Sequence, residues 1–133
     1  MIKSIYNFLL FLSIILLFFS CQNNTKIEAN TMKIIGNIEG LRKGDVFLQK
    51  VDNKLIINVD SVKIKGDSKF ILSSKIDSPE IFYLYLKKED GDTLNDRLLF
   101  FGEKGEIKIN TILKTFESSA SIEGSKNNDL LNE

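Results

Sequence analysis

Hydrophobic and polar residues alternate along much of the chain that follows residue 31. Between residues 32 and 40, for example, Met32, Ile34 and Ile38 fall on one face of an extended chain. A period of two is typical of a β-strand with one buried face. Eight segments either alternate in this way or are apolar throughout, and turn-forming residues separate them. They are residues 32–40, 46–51, 55–64, 69–76, 81–87, 97–102, 106–110 and 119–124.

This series of short strands predicts the fold class. Strands that recur about every 8–12 residues, with no amphipathic helical segment between them, are typical of sandwiches and barrels. We therefore predict an all-β fold, an antiparallel β-sandwich or open barrel of about seven to eight short strands. The apolar residues of one segment change face between Val59 and Val62, which predicts a β-bulge near Asp60 and Ser61.

Two segments, residues 81–87 and 97–102, are apolar on both faces and rich in aromatic residues. A strand that is buried on both faces has this composition, so we predict that both are central strands. Tyr83 and Tyr85 share one face, with Phe82 on the other. The two tyrosines are candidates for lining a binding cleft, and packing in the core or on the sheet face is the alternative.

The first 21 residues have the pattern of an export signal. Lys3 and the α-amino group form a short positive region, and residues 8–19 are apolar apart from Ser13. This run is shorter than the roughly 18 apolar residues that a transmembrane helix needs, so it predicts a helical signal peptide. The pattern resembles a bacterial lipoprotein signal, in which cleavage occurs between Ser20 and Cys21. We therefore predict that Cys21 is lipidated and attaches the chain to a membrane.

Two alternatives to lipidation stay open, an uncleaved helical anchor and secretion with a free Cys21 thiol. The predicted organisation is a lipoprotein signal peptide over residues 1–20 and a lipidated cysteine with a flexible polar tether over residues 21–31. They are followed by a β domain over residues 32–124 and by the start of a truncated C-terminal helix over residues 125–133. Because no acidic cluster follows Cys21, we expect the periplasmic face of the outer membrane rather than the cell surface.

The composition narrows the possible functions. The chain has 18 basic and 18 acidic residues and no histidine. Balanced charge argues against a nucleic-acid-binding protein, and the absence of histidine removes the commonest general base. The sequence has no CxxC motif, no phosphate-binding loop and no nucleophile elbow. We therefore predict a protein that is not an enzyme and has no cofactor, with an unknown protein or small molecule as its partner.

One acidic segment, KKEDGDTLND, is a candidate for weak binding of a cation. Asp90, Asp92 and Asp96 offer oxygen ligands of the kind that Ca²⁺ prefers. The segment lacks the spacing of an EF-hand loop and its closing glutamate. A solvated hairpin loop between two apolar strands is the alternative interpretation.

The linear pattern of the β domain resembles a family from Bacteroidetes, the domain of unknown function 4369 (DUF4369). The resemblance covers residues 32 to 131. It is carried by Ile34-x-Gly36-x-Ile38-x-Gly40-Leu41, Val46-Phe47-Leu48, Gly66-x-x-x-Phe70-x-Leu72, Leu98-Leu99-Phe100-Phe101, Gly105-Glu106-Ile107-x-Ile109 and Ile122-x-Gly124-Ser125-x-x-Asn128.

The resemblance implies a second function hypothesis. In that family the domain commonly precedes a thioredoxin-like thiol–disulfide oxidoreductase domain with a CxxC motif, and a helix that begins at the Gly-Ser-x-x-Asn motif leads toward it. One hypothesis is thus a lipid-anchored, non-catalytic interaction module. The other is the N-terminal part of a membrane-anchored oxidoreductase whose catalytic domain is missing. The resemblance transfers no catalytic residue to this chain.

Overall fold

The fold was analysed in a computed structural model that describes residues 29–89, 91 and 96–130. Within these residues the structure has eight β-strands, one 3-10 helix at Leu113–Thr115 and one short α-helix, α1, at Lys126–Asp129. The strands are β1 Thr31–Glu39, β2 Lys43–Asp52, β3 Leu55–Lys65, β4 Lys69–Lys75, β5 Glu80–Lys88, β6 Arg97–Gly102, β7 Gly105–Ile112 and β8 Ser121–Glu123. The predicted helical signal peptide lies outside the described residues.

The strands form two sheets of four strands each. The first sheet has the order β4-β1-β7-β8, and the second sheet has the order β3-β2-β5-β6. The two sheets are separate over the described residues, so the predicted all-β sandwich is confirmed and the barrel alternative is not found. Residues 97–102, predicted to be a central strand, form β6 at the edge of the second sheet.

One pair of strands differs from the predicted antiparallel arrangement. β1 and β7 lie side by side at the centre of the first sheet and run parallel. Parallel neighbours need a long crossover connection, and here the whole second sheet lies between them in the sequence. The alternation of apolar residues is the same in parallel and antiparallel strands of one buried face, so it does not reveal this pairing.

The core lies between the two sheets and is built from the apolar side chains of every second residue. Phe82 of β5 and Phe100 of β6 are fully buried in it, with ring centroids 6.0 Å apart. Gly36 of β1 lies directly under Phe70 of β4, because a Cβ atom at Gly36 would lie 2.0 Å from the phenylalanine ring. Gly36 and Phe70, which belong to two separate motifs of the sequence pattern, therefore form one cross-strand contact.

The predicted bulge in β3 is present, one residue earlier than expected. Leu48 of β2 faces Asp60, whereas Gln49 faces Asn58, so Val59 is the extra residue. The bulge turns Ile64 into the core. Leu55 before the bulge stays 68% exposed, because it lies at the tip of the β2–β3 hairpin.

Candidate functional site: the outer face of the second sheet

The solvent-facing side of the second sheet, its outer face, is the candidate site. Residues that pair directly across antiparallel strands place their side chains on the same face, so four rows of side chains cross it. We call them the apolar row, the amide row, the aromatic row and the charged row. In that order they are Ile56, Val51, Ile81 and Phe101; Asn58, Gln49, Tyr83 and Leu99; Ser61, Phe47, Tyr85 and Arg97; and Lys63, Asp45 and Lys87.

The apolar row is exposed to solvent although its members are aliphatic or aromatic. Val51 is 50% exposed, Ile56 49% and Ile81 43%. Leu99 in the neighbouring amide row is also 43% exposed. A contiguous apolar patch on an otherwise polar surface is typical of an interaction site, whereas single exposed apolar residues need no explanation.

The aromatic row is ordered by stacking. The rings of Phe47 and Tyr85 are 5.8 Å apart between centroids and inclined by 28°. On the other side of Tyr85, Cζ of Arg97 lies 5.1 Å from the ring centroid, in the geometry of a cation–π contact. These contacts fix the ring planes before any partner arrives, which lowers the entropy cost of binding.

The two tyrosines predicted as cleft residues are therefore on this face. Tyr83 and Tyr85 are half-buried, and Phe82 and Leu84, which alternate with them along β5, are buried in the core. The second sheet presents both of them on its outer face, where their role in lining a binding cleft stays a prediction. Their hydroxyl groups add hydrogen-bonding capacity at the rim of large apolar rings, a combination that is frequent at interfaces.

Gln49 is a residue of this face that the sequence analysis did not single out. It is 8% exposed, and its Nε2 donates a hydrogen bond of 2.8 Å to Oδ1 of Asn58. Its Oε1 is buried and accepts no hydrogen bond from the residues that the structure describes. A buried acceptor without a partner is costly, so its presence among apolar neighbours needs an explanation. A glutamine inside the apolar segment VFLQKV was the available signal.

The free edge of β6 beside this face is closed by the C-terminal segment. Oδ1 of Asn128 accepts a hydrogen bond from the Phe101 N–H at 2.8 Å, and Nδ2 of Asn128 donates to the Phe101 carbonyl at 2.7 Å. The buried Asn128 side chain thus takes the place of a neighbouring strand at Phe101. Ser125 caps α1, since its hydroxyl accepts from the Asn128 N–H.

The opposite end of the second sheet carries the charged row and a basic groove. Arg42, Lys43 and Lys65 line the groove together with Lys63 and Glu89. Lys63 also forms an ion pair of 3.7 Å with Asp45 of the charged row. Since long cationic side chains are flexible and well hydrated, we interpret this end as a solvated surface.

Several predicted site residues fall outside the described residues. These are Ser20 and Cys21 at the expected cleavage and lipidation site, and Asp90 and Asp92 of the acidic loop. Asp96 is described, and its main-chain carbonyl accepts a hydrogen bond of 2.7 Å from the Leu86 N–H. Among the residues whose positions are given, no three histidine, cysteine, aspartate or glutamate side chains are arranged to hold a metal ion. Nor does any helix of the described ranges have the length and apolarity required to cross a bilayer.

Comparison with known proteins identifies the family. No curated protein and no solved structure matches the chain. The family model described as domain of unknown function (DUF4369) matches residues 32–131, which include α1 and all eight described strands except Thr31, the first residue of β1. The resemblance that the motif pattern indicated is thereby confirmed, with the same bounds. The chain belongs to the DUF4369 family.

Proposed function

We propose that this protein is a lipid-anchored, non-catalytic interaction module of the cell envelope. In this proposal Cys21 carries the lipid, and the β domain lies on the periplasmic face of the outer membrane of a Bacteroidetes-type bacterium. The domain binds a protein or small-molecule partner through the outer face of the second sheet. The observation that carries the proposal is the pair of rows in which the stacked rings of Phe47 and Tyr85 lie beside Tyr83 and the exposed Leu99.

The chemistry of this face supports binding rather than catalysis. In the amide and aromatic rows its polar groups are amides, phenol hydroxyls, the Ser61 hydroxyl and one guanidinium, which orient a partner through hydrogen bonds and ring contacts. A nucleophile next to a general base would be expected of an acyl- or phosphoryl-transfer site.

The attachment through Cys21 has a direct test. Mass spectrometry of the protein isolated from the membrane fraction is expected to show acylated Cys21 as the first residue. Several acyl chains on one cysteine hold a protein durably, whereas one chain holds it only marginally. An intact Met1 together with a Cys21 thiol that reacts with maleimide would refute the attachment.

The binding face has a test that uses two matched substitutions. Leu99→Lys places a charge in the amide row of the second sheet, and Ile71→Lys places one on the outer face of the first sheet. Both side chains are exposed, 43% and 60%, so each change is expected to alter the free energy of unfolding by only about 0.5 kcal/mol. We expect Leu99→Lys, and not Ile71→Lys, to lose the envelope components that the wild-type protein retains. Equal retention by both variants would exclude this face.

The alternative proposal is that the domain is the N-terminal part of a thiol–disulfide oxidoreductase. The 70% exposure of Leu130, directly after α1, supports this proposal, because a further domain would supply a surface that covers it. The nucleotide sequence downstream of codon 133 separates the two proposals. A reading frame there that encodes a thioredoxin-like CxxC segment would favour the oxidoreductase, and its absence would favour the self-sufficient module.

A further inference from the structure

We infer that the apolar row of the second sheet and the tip of the β2–β3 hairpin rest on the phospholipid bilayer, so that the domain stands on the membrane with its strands pointing away from it. The inference rests on the proposed attachment through Cys21. It concerns one end of the outer face, and it assigns that end to lipid rather than to a protein partner.

The first step is the position at which the chain enters the β domain. β1 begins at Thr31, and the Asn30 carbonyl accepts a hydrogen bond of 3.0 Å from the Ile76 N–H. One residue on, the sulfur of Met32 lies beside Gly102 at the end of β6, since a Cβ atom at Gly102 would be 2.7 Å from it. The same Cβ atom would be 2.4 Å from the ring of Phe82.

Phe82 connects this entry point to the apolar row. It pairs with Lys50 of β2, and the next residue of β2 is Val51. Ile81, the residue before Phe82, pairs with Phe101 of β6. The chain that leads to Cys21 therefore leaves the sandwich at the end where the apolar row lies. We call this the tether end.

The tether end also carries the most exposed apolar side chain of the hairpin. Asn53 and Lys54 form the turn with φ angles of 48° and 67°, and Leu55 follows them with 68% exposure. Leu55 pairs with Asp52, and Ile56 pairs with Val51. The hairpin tip thus projects apolar side chains on both of its faces, which a solvated turn does not require.

The second step is the gradient of polarity along the strands. From the tether end the outer face passes from the apolar row, through rows with tyrosine and amide groups, to the charged row. Val51 lies six positions after Asp45 in β2, which corresponds to a distance of about 20 Å at a rise of roughly 3.3 Å per residue. Side chains distribute in the same order from the hydrocarbon region of a bilayer into water. Apolar groups come first, tyrosines follow at the interface, and charged groups lie outermost.

The third step is the length of chain between the anchor and the domain. Thr31 lies ten residues after Cys21, so the chain between them spans at most about 35 Å. A domain held this close to a membrane has a high effective concentration at its surface, so that even a weakly apolar end is drawn onto the lipid. Because the chain enters at the tether end, that end is held closest to the lipid.

The test measures how deeply chosen positions lie in the bilayer. The chain has no tryptophan, so a single introduced tryptophan reports one position without background. Three exposed sites are suitable: Leu55→Trp at the hairpin tip, Leu99→Trp in the amide row and Ile112→Trp at the far end of β7. The acylated full-length mature protein is reconstituted into phosphatidylcholine vesicles whose acyl chains carry bromine, which quenches tryptophan fluorescence at short range.

The expected result is a graded loss of fluorescence, largest for Leu55→Trp, smaller for Leu99→Trp and absent for Ile112→Trp. If mass spectrometry shows acylated Cys21 and the protein floats with the vesicles, but none of the three tryptophans is quenched, the inference is overturned and the anchor stands. Equal quenching at all three positions also overturns it. A chain without acylation refutes the proposed attachment itself, and the inference is lost with it.

Discussion

The outer faces of the two sheets have opposite characters, although both sheets cover the same core. On the first sheet, Lys33 and Glu106 of the two central strands form an ion pair of 3.6 Å, and Lys108 lies opposite Glu123 of β8. On the second sheet, the corresponding central positions carry stacked aromatic rings and a buried glutamine. A sheet with one face in water needs polar residues there, and the first sheet meets this expectation.

This contrast indicates which part of the molecule requires a functional explanation. Folding needs the inner faces of both sheets and is indifferent to whether the outer faces are apolar. On the first sheet, Ile71 is 60% exposed and pairs with Ile35 of β1, and charged residues, Lys108 and Glu123, continue their row, which is ordinary for a protein surface. The apolar outer face of the second sheet is a cost in solubility, so we attribute it to binding.

The two sheets also differ in how their free edges are closed. The largest change in the free energy of unfolding that we predict concerns the edge of the second sheet. Asn128→Ala removes both hydrogen bonds to the main chain of Phe101 at the β6 edge. Because the lost groups are largely buried, we expect the free energy of unfolding to fall by about 2–3 kcal/mol. Urea unfolding followed by far-ultraviolet circular dichroism measures this change.

Asn127→Ala is the matched control for the β6 edge. The Asn127 side chain donates a hydrogen bond of 2.8 Å to Glu103, but it is only half-buried and does not contact the strand edge. We expect its removal to cost less than about 1 kcal/mol. An equal loss for Asn127→Ala and Asn128→Ala would mean that α1 stabilises the domain only as a whole, without a specific role for the edge contact.

The edge strand of the first sheet, β4, has a weaker side-chain contact to its main chain than the Asn128 contact at β6. Asp60, beside the bulge of β3, accepts a hydrogen bond of 2.8 Å from the Ser73 N–H on the free side of β4. Asp60→Ala is expected to lower the free energy of unfolding by only about 1 kcal/mol, because this contact is exposed to solvent. Hydrogen exchange of the Ser73 amide is the more direct measurement, and we expect it to become faster.

The control for this edge is Asp67→Ala. Asp67 accepts a hydrogen bond of 3.0 Å from the Lys69 N–H at the start of the same strand. Removal of the Asp67 carboxylate is expected to speed hydrogen exchange of the Lys69 amide and to leave the exchange of the Ser73 amide unchanged. Faster exchange at Ser73 in both variants would show that β4 frays as a unit and that Asp60 has no specific contact to lose.

These edges mark the limit of what the sequence predicts. The eight strands follow from alternation because burial of one face imposes a period of two on any pairing. Pairing partners and edges depend on contacts between distant residues, which local patterns do not contain. Asn128 is one polar residue in a short segment, and only the register places its side chain against Phe101, 27 residues earlier.

The same limit explains why the candidate site was found only in part. Residues 81–87 are apolar on both faces, a pattern produced equally by a strand buried on both sides and by a strand with an exposed binding face. The structure shows that the outer face of β5 is partly exposed, since Ile81 is 43% exposed and Tyr83 and Tyr85 are half-buried. The central position of β5 was predictable, and the exposure of its outer face was not.

Substitution of Gln49 has the smallest predicted effect on stability. It distinguishes most clearly between a role of this residue in folding and a role in binding. Gln49→Met keeps the approximate side-chain volume and removes the buried Oε1 that accepts no hydrogen bond from the described residues. Asn58 loses one hydrogen bond, but it is exposed and water replaces Gln49 as its partner. We therefore expect the free energy of unfolding to stay constant or to rise by up to about 1 kcal/mol, while retention of envelope components decreases. Thermal unfolding measures the change in stability, and the capture assay used for Leu99→Lys measures the retention of envelope components. A clear loss of stability would mean that Gln49 is held for folding, and the contrast between the two outer faces would then lose its functional explanation.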